Sequence, residues 1–173
     1  MADLKPGDPL DVLGPLGNTF SLPNQNESVF ILSGGTGIGS VYLLYSSLKK
    51  NGHEKLTFAT GFRDDTFYFS ELDDSNVVTF TEDGSTGRKG LVTEMLQEVL
   101  DDPKNKRVYA CGPHGMLQAV SKQMKDVPCE TELSIEETMA CGIGACLGCV
   151  VEALGGRKTV CKEGPVFNLR ALQ

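Results

Sequence analysis

From residue 29 onward, short apolar runs alternate with stretches of helical periodicity. Val29–Leu32 is a continuous apolar run, the pattern of a strand buried on both faces. The glycine-rich stretch Ser33–Gly39 follows it. Val41, Leu44, Tyr45 and Leu48 then recur at helical spacing, and Asn51-Gly52 marks the stop. Lys55–Thr60 reads as the next strand, Asp64–Leu72 as a short helix, Val77–Thr81 as a third strand and Glu82–Lys89 as a loop. Leu91, Val92, Met95, Leu96, Val99 and Leu100 share one helical face. Arg107–Ala110 is a fourth strand. Pro113 suits the first turn of a helix whose apolar stripe is Met116, Leu117, Val120 and Met124. Such alternation predicts an α/β fold, a parallel sheet covered on both faces with right-handed crossovers.

The flanks differ. Residues 8–13 form a short strand candidate closed by Gly14-Pro15-Leu16-Gly17, and Ser21–Ser28 is a polar loop or linker. After Pro128 the rhythm breaks, leaving one clear strand (Cys149–Leu154) and a Gly155-Gly156 turn. The expected division is therefore residues 1–27, an α/β domain over 28–128, and a small segment over 129–173. That last segment is short of apolar surface, so a bound metal cluster is expected to supply folding energy.

Composition narrows the function. The chain has 173 residues, 40% hydrophobic and 23% charged, with a net charge of −7. An acidic balance disfavours nucleic acid and anionic membrane surfaces as partners. No run of roughly 18 apolar residues predicts a membrane span, and the N-terminus has no apolar secretory core, so the expected location is cytoplasmic.

Six cysteines in such a chain read better as metal ligands or free thiols than as disulfides. Cys141, Cys146 and Cys149 follow a C-x4-C-x2-C pattern, and Cys161 follows after eleven intervening residues. That is close to the plant-type spacing of a [2Fe–2S] cluster. Iron in such clusters prefers soft thiolate ligands, and the interleaved Gly142, Gly144 and Gly148 let a loop wrap closely around sulfur. The competing reading is a structural four-cysteine zinc site. Those sites usually carry two C-x2-C knuckles, and only Cys146–Cys149 has that spacing here. Cys129 reads as a small buried hydrophobe.

Gly34-Gly35-Thr36-Gly37-Ile38-Gly39 follows a strand and opens a helix, where glycines admit a phosphate and the helix start favours it. By itself this is a weak signal, since Ser40 stands where G-x-G-x-x-G needs its third glycine and the lysine of a P-loop is absent. Cys111, before Gly112-Pro113, lies at a strand end, where open α/β sheets bind ligands. Arg63 ends the second strand, where it can pair with a nucleotide or simply be solvated. His53, His114 and the Glu136-Glu137 pair are expected at the surface.

Taken together, these motifs resemble the electron-transfer subunits of NAD-dependent dihydroorotate dehydrogenase, within the ferredoxin reductase superfamily. The stretch from Glu132 to Cys149 resembles the family's cluster loop nearly throughout, and Cys161-Lys-Glu-Gly-Pro-Val-Phe its fourth-ligand segment. Cys111-Gly-Pro-His-Gly-Met-Leu is similar to the superfamily's C-G-P-x-x-M-L signature beside the nicotinamide. Gly61-Phe-Arg and Thr81-Glu-Asp-Gly-Ser resemble segments lining the nucleotide site. The resemblance spans about residues 7 to 168. It implies a [2Fe–2S] cluster on Cys141, Cys146, Cys149 and Cys161, and contacts to NAD and flavin from Gly35, Thr36, Gly37, Ile38, Gly39, Arg63, Cys111, Gly112 and Pro113. It further implies a partner, the FMN-containing dihydroorotate dehydrogenase catalytic subunit, with electrons passing from substrate through FMN, cluster and FAD to NAD.

Three features depart from the family pattern. The proline usual near Tyr42 is absent. The gap from Cys149 to Cys161 is short, as if the hairpin Leu154–Lys158 were trimmed. Only the last stretch of the flavin-binding barrel, Pro6 to Asn18, is present, without an Arg-x-Tyr-Ser motif upstream. The expectation is a fragment, or a barrel supplied by another chain. Other readings stay open at this point: a reductase subunit of another flavin and iron–sulfur complex, electron-bifurcating or glutamate synthase-like, or a nucleotide-binding remnant without turnover.

Overall fold

The structure is a computed structural model, and residues 3–65 and 74–172 are described. Seven strands form one sheet in the order β4-β3-β2-β1-β5-β6-β9. These are β1 (Ser28–Gly34), β2 (Leu56–Phe62), β3 (Val77–Thr81), β4 (Arg88–Lys89), β5 (Lys106–Cys111), β6 (Glu130–Ser134) and β9 (Val166–Asn168). The first six run parallel, and β9 closes the edge antiparallel to β6. A separate hairpin pairs β7 (Val150–Ala153) with β8 (Gly156–Thr159).

The period of two along β1 explains the layers. Val29 and Ile31 point to one face, where they meet Val41, Tyr45 and Leu48 of helix α1 (Ile38–Lys50). Phe30 and Leu32 point to the other. There they join Val92, Met95, Leu96 and Val99, together with Leu117, Val120 and Met124 of helix α3 (His114–Met124). Sequential strands β1, β2 and β3 run outward on one side of β1, while β5 and β6 lie on the other. The strand order therefore reverses between β1 and β5, which opens a crevice at their carboxyl ends.

Several expectations need correction. Residues 8–13 form no strand, because strands need a ladder partner and the segment has none among the described residues. The stripe from Leu91 to Leu100 is a 3-10 turn over Val92–Leu96 followed by a short helix α2 (Gln97–Asp101), with Leu91 exposed. Pro113 caps α3 from outside, at φ −55° and ψ 148°, and does not lie within its first turn. Of the helix expected over Asp64–Leu72, residues 66–72 lie outside the described residues. The sheet also continues past residue 128 through β6 and β9, two strands that the periodicity did not reveal.

His53 is buried at 4% exposure, against expectation, with its Nε2 2.9 Å from the Glu27 carbonyl. The linker Ser21–Ser28 is likewise tied down. Glu27 pairs with Arg107 at 3.2 Å. The Arg107 guanidinium also donates to Ser21 Oγ at 2.9 Å, and the Tyr109 hydroxyl to the Ser21 carbonyl at 2.6 Å. The buried Glu132 carboxylate accepts from the Ser21 amide (2.9 Å) and hydroxyl (2.6 Å).

Burial alone would raise the Glu27 pKa, but the Asn24 amide and the Arg107 guanidinium outweigh it and hold the carboxyl below its ordinary 4.5. A carboxyl with a depressed folded-state pKa stabilises the fold above its unfolded value, and that contribution is lost as pH falls through the folded value. Melting temperature should therefore fall as pH drops below about 4.5, and Glu27→Gln should flatten the slope. Thermal unfolding from pH 7 to pH 3 checks this; parallel curves for the two proteins would remove Glu27 from the network's acid response.

Candidate functional site: a nucleotide cleft beside a paired-cysteine loop

The crevice between β1 and β5 is built by backbone meeting backbone. A Cβ placed on Gly37 would stand 2.5 Å from the Cys111 carbonyl oxygen and 2.8 Å from Gly112 Cα. One on Gly34 would meet Met116 Sδ at 2.6 Å and Pro113 Cδ at 2.8 Å. The glycine loop and the turn before α3 thus touch at distances no side chain permits.

Two cavities flank this contact. The larger, of about 690 Å³, is lined by Gly34, Gly35, Thr36, Gly61, Phe62 and Arg63, with Glu82, Val92, Pro113 and Met116 opposite. The smaller, of about 370 Å³, is lined by Thr36, Gly37, Gly112, Pro113, His114 and Glu136–Thr138. Thr36 and Pro113 line both. Of the residues singled out in the sequence, Ile38, Gly39 and Cys111 line neither. Cys111 is buried in the core beneath α1. Residue type and spacing alone give Met116, Glu82 and Glu136–Thr138 no functional reading; the family resemblance is the signal that places Met116 and Glu82 in nucleotide-site segments and Glu136–Thr138 in the cluster loop.

The four cysteines lie in two pairs. The Cys146 amide donates to Cys141 Sγ at 3.3 Å, and the Cys161 amide to Cys149 Sγ at 3.4 Å. Within each pair a thiol also perturbs its neighbour's protonation, Cys146 that of Cys141 and Cys161 that of Cys149, and Cys161 is raised by Cys141 as well. Further amides aim at sulfur, Gly144 to Cys161 at 3.1 Å and Gly148 to Cys146 at 3.4 Å. Gly144 adopts φ +78°, which a side chain would strain. Leu147, between the two cysteines of the C-x2-C step, accepts that strain at φ +56°.

The amides of Cys146 and Ile143, with the Cys146 thiol, pull Cys141 down to about 6. The Cys161 amide lowers Cys149, while burial and the Cys149 thiol raise Cys161. Cys149 and Cys161 share a small core with Val160 and Phe167, the former in helix α4 (Val160–Glu163). Two pairs of thiols, each ringed by amides, fit two iron atoms. In a [2Fe–2S] cluster four thiolates are shared between two irons, two to each, which is the grouping these pairs offer. Cys129 stays apart, buried in the main core, its thiol pushed up to about 11 by burial.

Comparison with known proteins agrees with this division of labour. Residues 31–122 match the oxidoreductase NAD-binding domain. Residues 136–173 match the iron–sulfur cluster binding domain of dihydroorotate dehydrogenase B. The chain is 40% identical to the dihydroorotate dehydrogenase B (NAD(+)) electron transfer subunit of Caldanaerobacter subterraneus subsp. tengcongensis, over 96% of this chain and 67% of that protein. It is 39% identical to the Clostridium perfringens subunit, over 94% of this chain and 65% of that one. Among solved structures it resembles the NADH-dependent reduced ferredoxin-NADP oxidoreductase of a flavin-based electron bifurcation study. The TM-score is 0.78 at 29% identity, over 95% of this chain and 60% of that one.

Fold and matched domains define the class, an oxidoreductase component that joins an NAD-binding domain to an iron–sulfur cluster binding domain. Within that class, the chain belongs to the family of dihydroorotate dehydrogenase B electron-transfer subunits. It spans about two thirds of the length of the curated relatives it matches.

Replacing Gly37 by Val should pry the glycine loop from the Cys111 carbonyl. NADH affinity should drop about tenfold or more, equivalent to about 1.4 kcal/mol. Fluorescence titration with NADH reads it, and unchanged affinity would show that the contact does not shape the cleft.

Proposed function

We propose that this chain is the electron-transfer component of a dihydroorotate-oxidising complex in pyrimidine biosynthesis, located in the cytoplasm. In this reading residues 28–128 bind NAD and residues 129–173 hold a [2Fe–2S] cluster on Cys141, Cys146, Cys149 and Cys161. Residues 1–27 are a remnant of a flavin-binding barrel and a linker. The partner is an FMN-containing dihydroorotate dehydrogenase catalytic subunit. When bound, a cluster of this kind exchanges single electrons, NAD exchanges a hydride, and a flavin interconverts the two.

The observation that carries the reading is the shared wall of the two cavities. Thr36 and Pro113 face the nucleotide cleft on one side and, on the other, a cavity bounded by Glu136–Thr138, three residues before the first cluster cysteine. Gly35, Thr36 and Arg63 supply amides and a guanidinium to the dinucleotide's phosphates, and Pro113 with Met116 offers an apolar bed for its nicotinamide. The smaller cavity is the place for a flavin ring. Ile38 and Gly39 begin α1 behind this loop, and Cys111 fixes the turn from below. The ring of amides around the sulfurs favours thiolate and tunes the potential of whatever they bind.

One second reading has an observation of its own. The structural likeness to the ferredoxin-NADP oxidoreductase supports a reductase subunit of an electron-bifurcating complex. The choice of partner separates the two.

In an anaerobic titration, NADH should leave the visible absorption of the reconstituted protein unchanged until FAD is added, and then bleach it. Bleaching without flavin, or none with it, would contradict this function. With the FMN-containing catalytic subunit present, dihydroorotate should drive NAD reduction; its failure, alongside intact flavin-dependent bleaching, would favour the second reading.

A further inference from the structure

The stretch Leu13–Asn18 crosses the cysteine loop and touches it at both ends, yet the proposed function gives it no task. We propose that it is a strap that positions the cluster ligands. In it Asn18 fixes the turn behind Cys161, and Leu13 and Leu16 cover the loop beside Cys141. The inference rests on the four cysteines holding a [2Fe–2S] cluster.

Asn18 uses its whole polar complement on one turn. Its Nδ2 donates to the carbonyls of Glu163 (2.9 Å) and Val166 (2.8 Å), and its Oδ1 accepts from the Val166 amide at 2.9 Å. The Asn18 amide donates to the Gly164 carbonyl at 2.6 Å. That turn ends α4, whose second residue is Cys161. Helix α4 has only four residues, too few to hold its shape unaided, and its last carbonyls need donors from elsewhere. Asn18 provides one to the Glu163 carbonyl, while the Gly164 amide serves that of Val160.

The fit is close enough to dictate sequence. Gly17 sits at φ +68°, and a Cβ there would stand 2.1 Å from the Gly164 carbonyl oxygen. No side chain is tolerated in that position on either count. At the other end of the loop, a Cβ on the buried Gly142 would lie 3.1 Å from Leu16 Cδ1 and 3.3 Å from Leu13 Cδ2. The strap's far end is anchored on the sheet, with Phe20 edge-on to Tyr109 at 5.2 Å and Ser21 bonded to Glu132. It is thus held between a fixed anchor and the loop.

Two consequences follow from physical chemistry. Loosening the turn behind Cys161 releases one sulfur of the Cys149–Cys161 pair, and groups that orient metal ligands typically govern affinity by 10- to 100-fold. Admitting water beside Cys141 favours the more negatively charged, reduced cluster, and so raises its potential.

The test uses the full chain, loaded anaerobically with iron and sulfide. Asn18→Asp keeps the acceptor for Val166 but turns a carboxylate oxygen onto two carbonyls. It should lose its visible absorption to an iron chelator about tenfold faster than the unaltered protein, with NADH affinity and far-UV circular dichroism unchanged. Leu16→Ser should raise the midpoint potential and shift the g-values of the reduced cluster. Chelation rate, g-values and potential all unchanged in both variants would overturn the strap. Should Asn18→Asp fail to fold, Leu16→Ser decides alone, since Leu16 is 39% exposed and outside the main core. Absence of a [2Fe–2S] EPR signal from the unaltered protein would overturn the cluster itself, and the strap with it. A normal signal with indifferent variants overturns only the strap.

Discussion

Everything about the site depends on the backbone contact between Gly37 and the Cys111 carbonyl. The sheet's strand order reverses between β1 and β5, so the chains leaving these strands diverge and leave a crevice. How deep that crevice is depends on how closely the two exits approach. Side-chain-free positions at Gly34, Gly37 and Gly112 let them meet backbone to backbone, with the Met116 sulfur filling the floor. The result is a thin wall, Thr36 and Pro113, with a cavity on each side. Any thicker wall would separate the nucleotide cleft from the cysteine loop.

The cysteine loop obeys a different economy. Its residues bury little: Cys149, Val160, Cys161 and Phe167 make up its small core, while Ile143, Cys146 and Leu147 are exposed. Amide-to-sulfur hydrogen bonds and left-handed turns hold the loop, and both are local and individually weak. Such a loop needs stiffening from outside. The β6–β9 edge of the sheet supplies part of it, since Leu133 pairs with Phe167 in register. Asn18 reaches the same turn from the opposite side, 145 residues away in sequence from Glu163.

What the sequence made legible followed from burial. β1, β3 and β5 lie inside the sheet and read as apolar runs, and α1 and α3 show one apolar stripe each. The elements that escaped are those whose pattern is set by a partner. β6 (Glu-Thr-Glu-Leu-Ser) carries two glutamates and is still a strand, because Ser21 and Asn168 satisfy their carboxylates. β9 is three residues long and exists only as a ladder to β6. Residues 8–13 show the converse, a strand-like pattern without a ladder. His53 was misplaced at the surface because its polarity says nothing of the Glu27 carbonyl waiting for it. At the site, the cysteine spacing was legible, while the grouping of sulfurs into Cys141–Cys146 and Cys149–Cys161 needed three dimensions.

Two pairs of sulfurs call for two irons, and a metal count tests this most directly. Protein purified without oxygen should contain about two irons and two acid-labile sulfides per chain, in keeping with a [2Fe–2S] cluster. One zinc per chain, with neither iron nor sulfide, would contradict it.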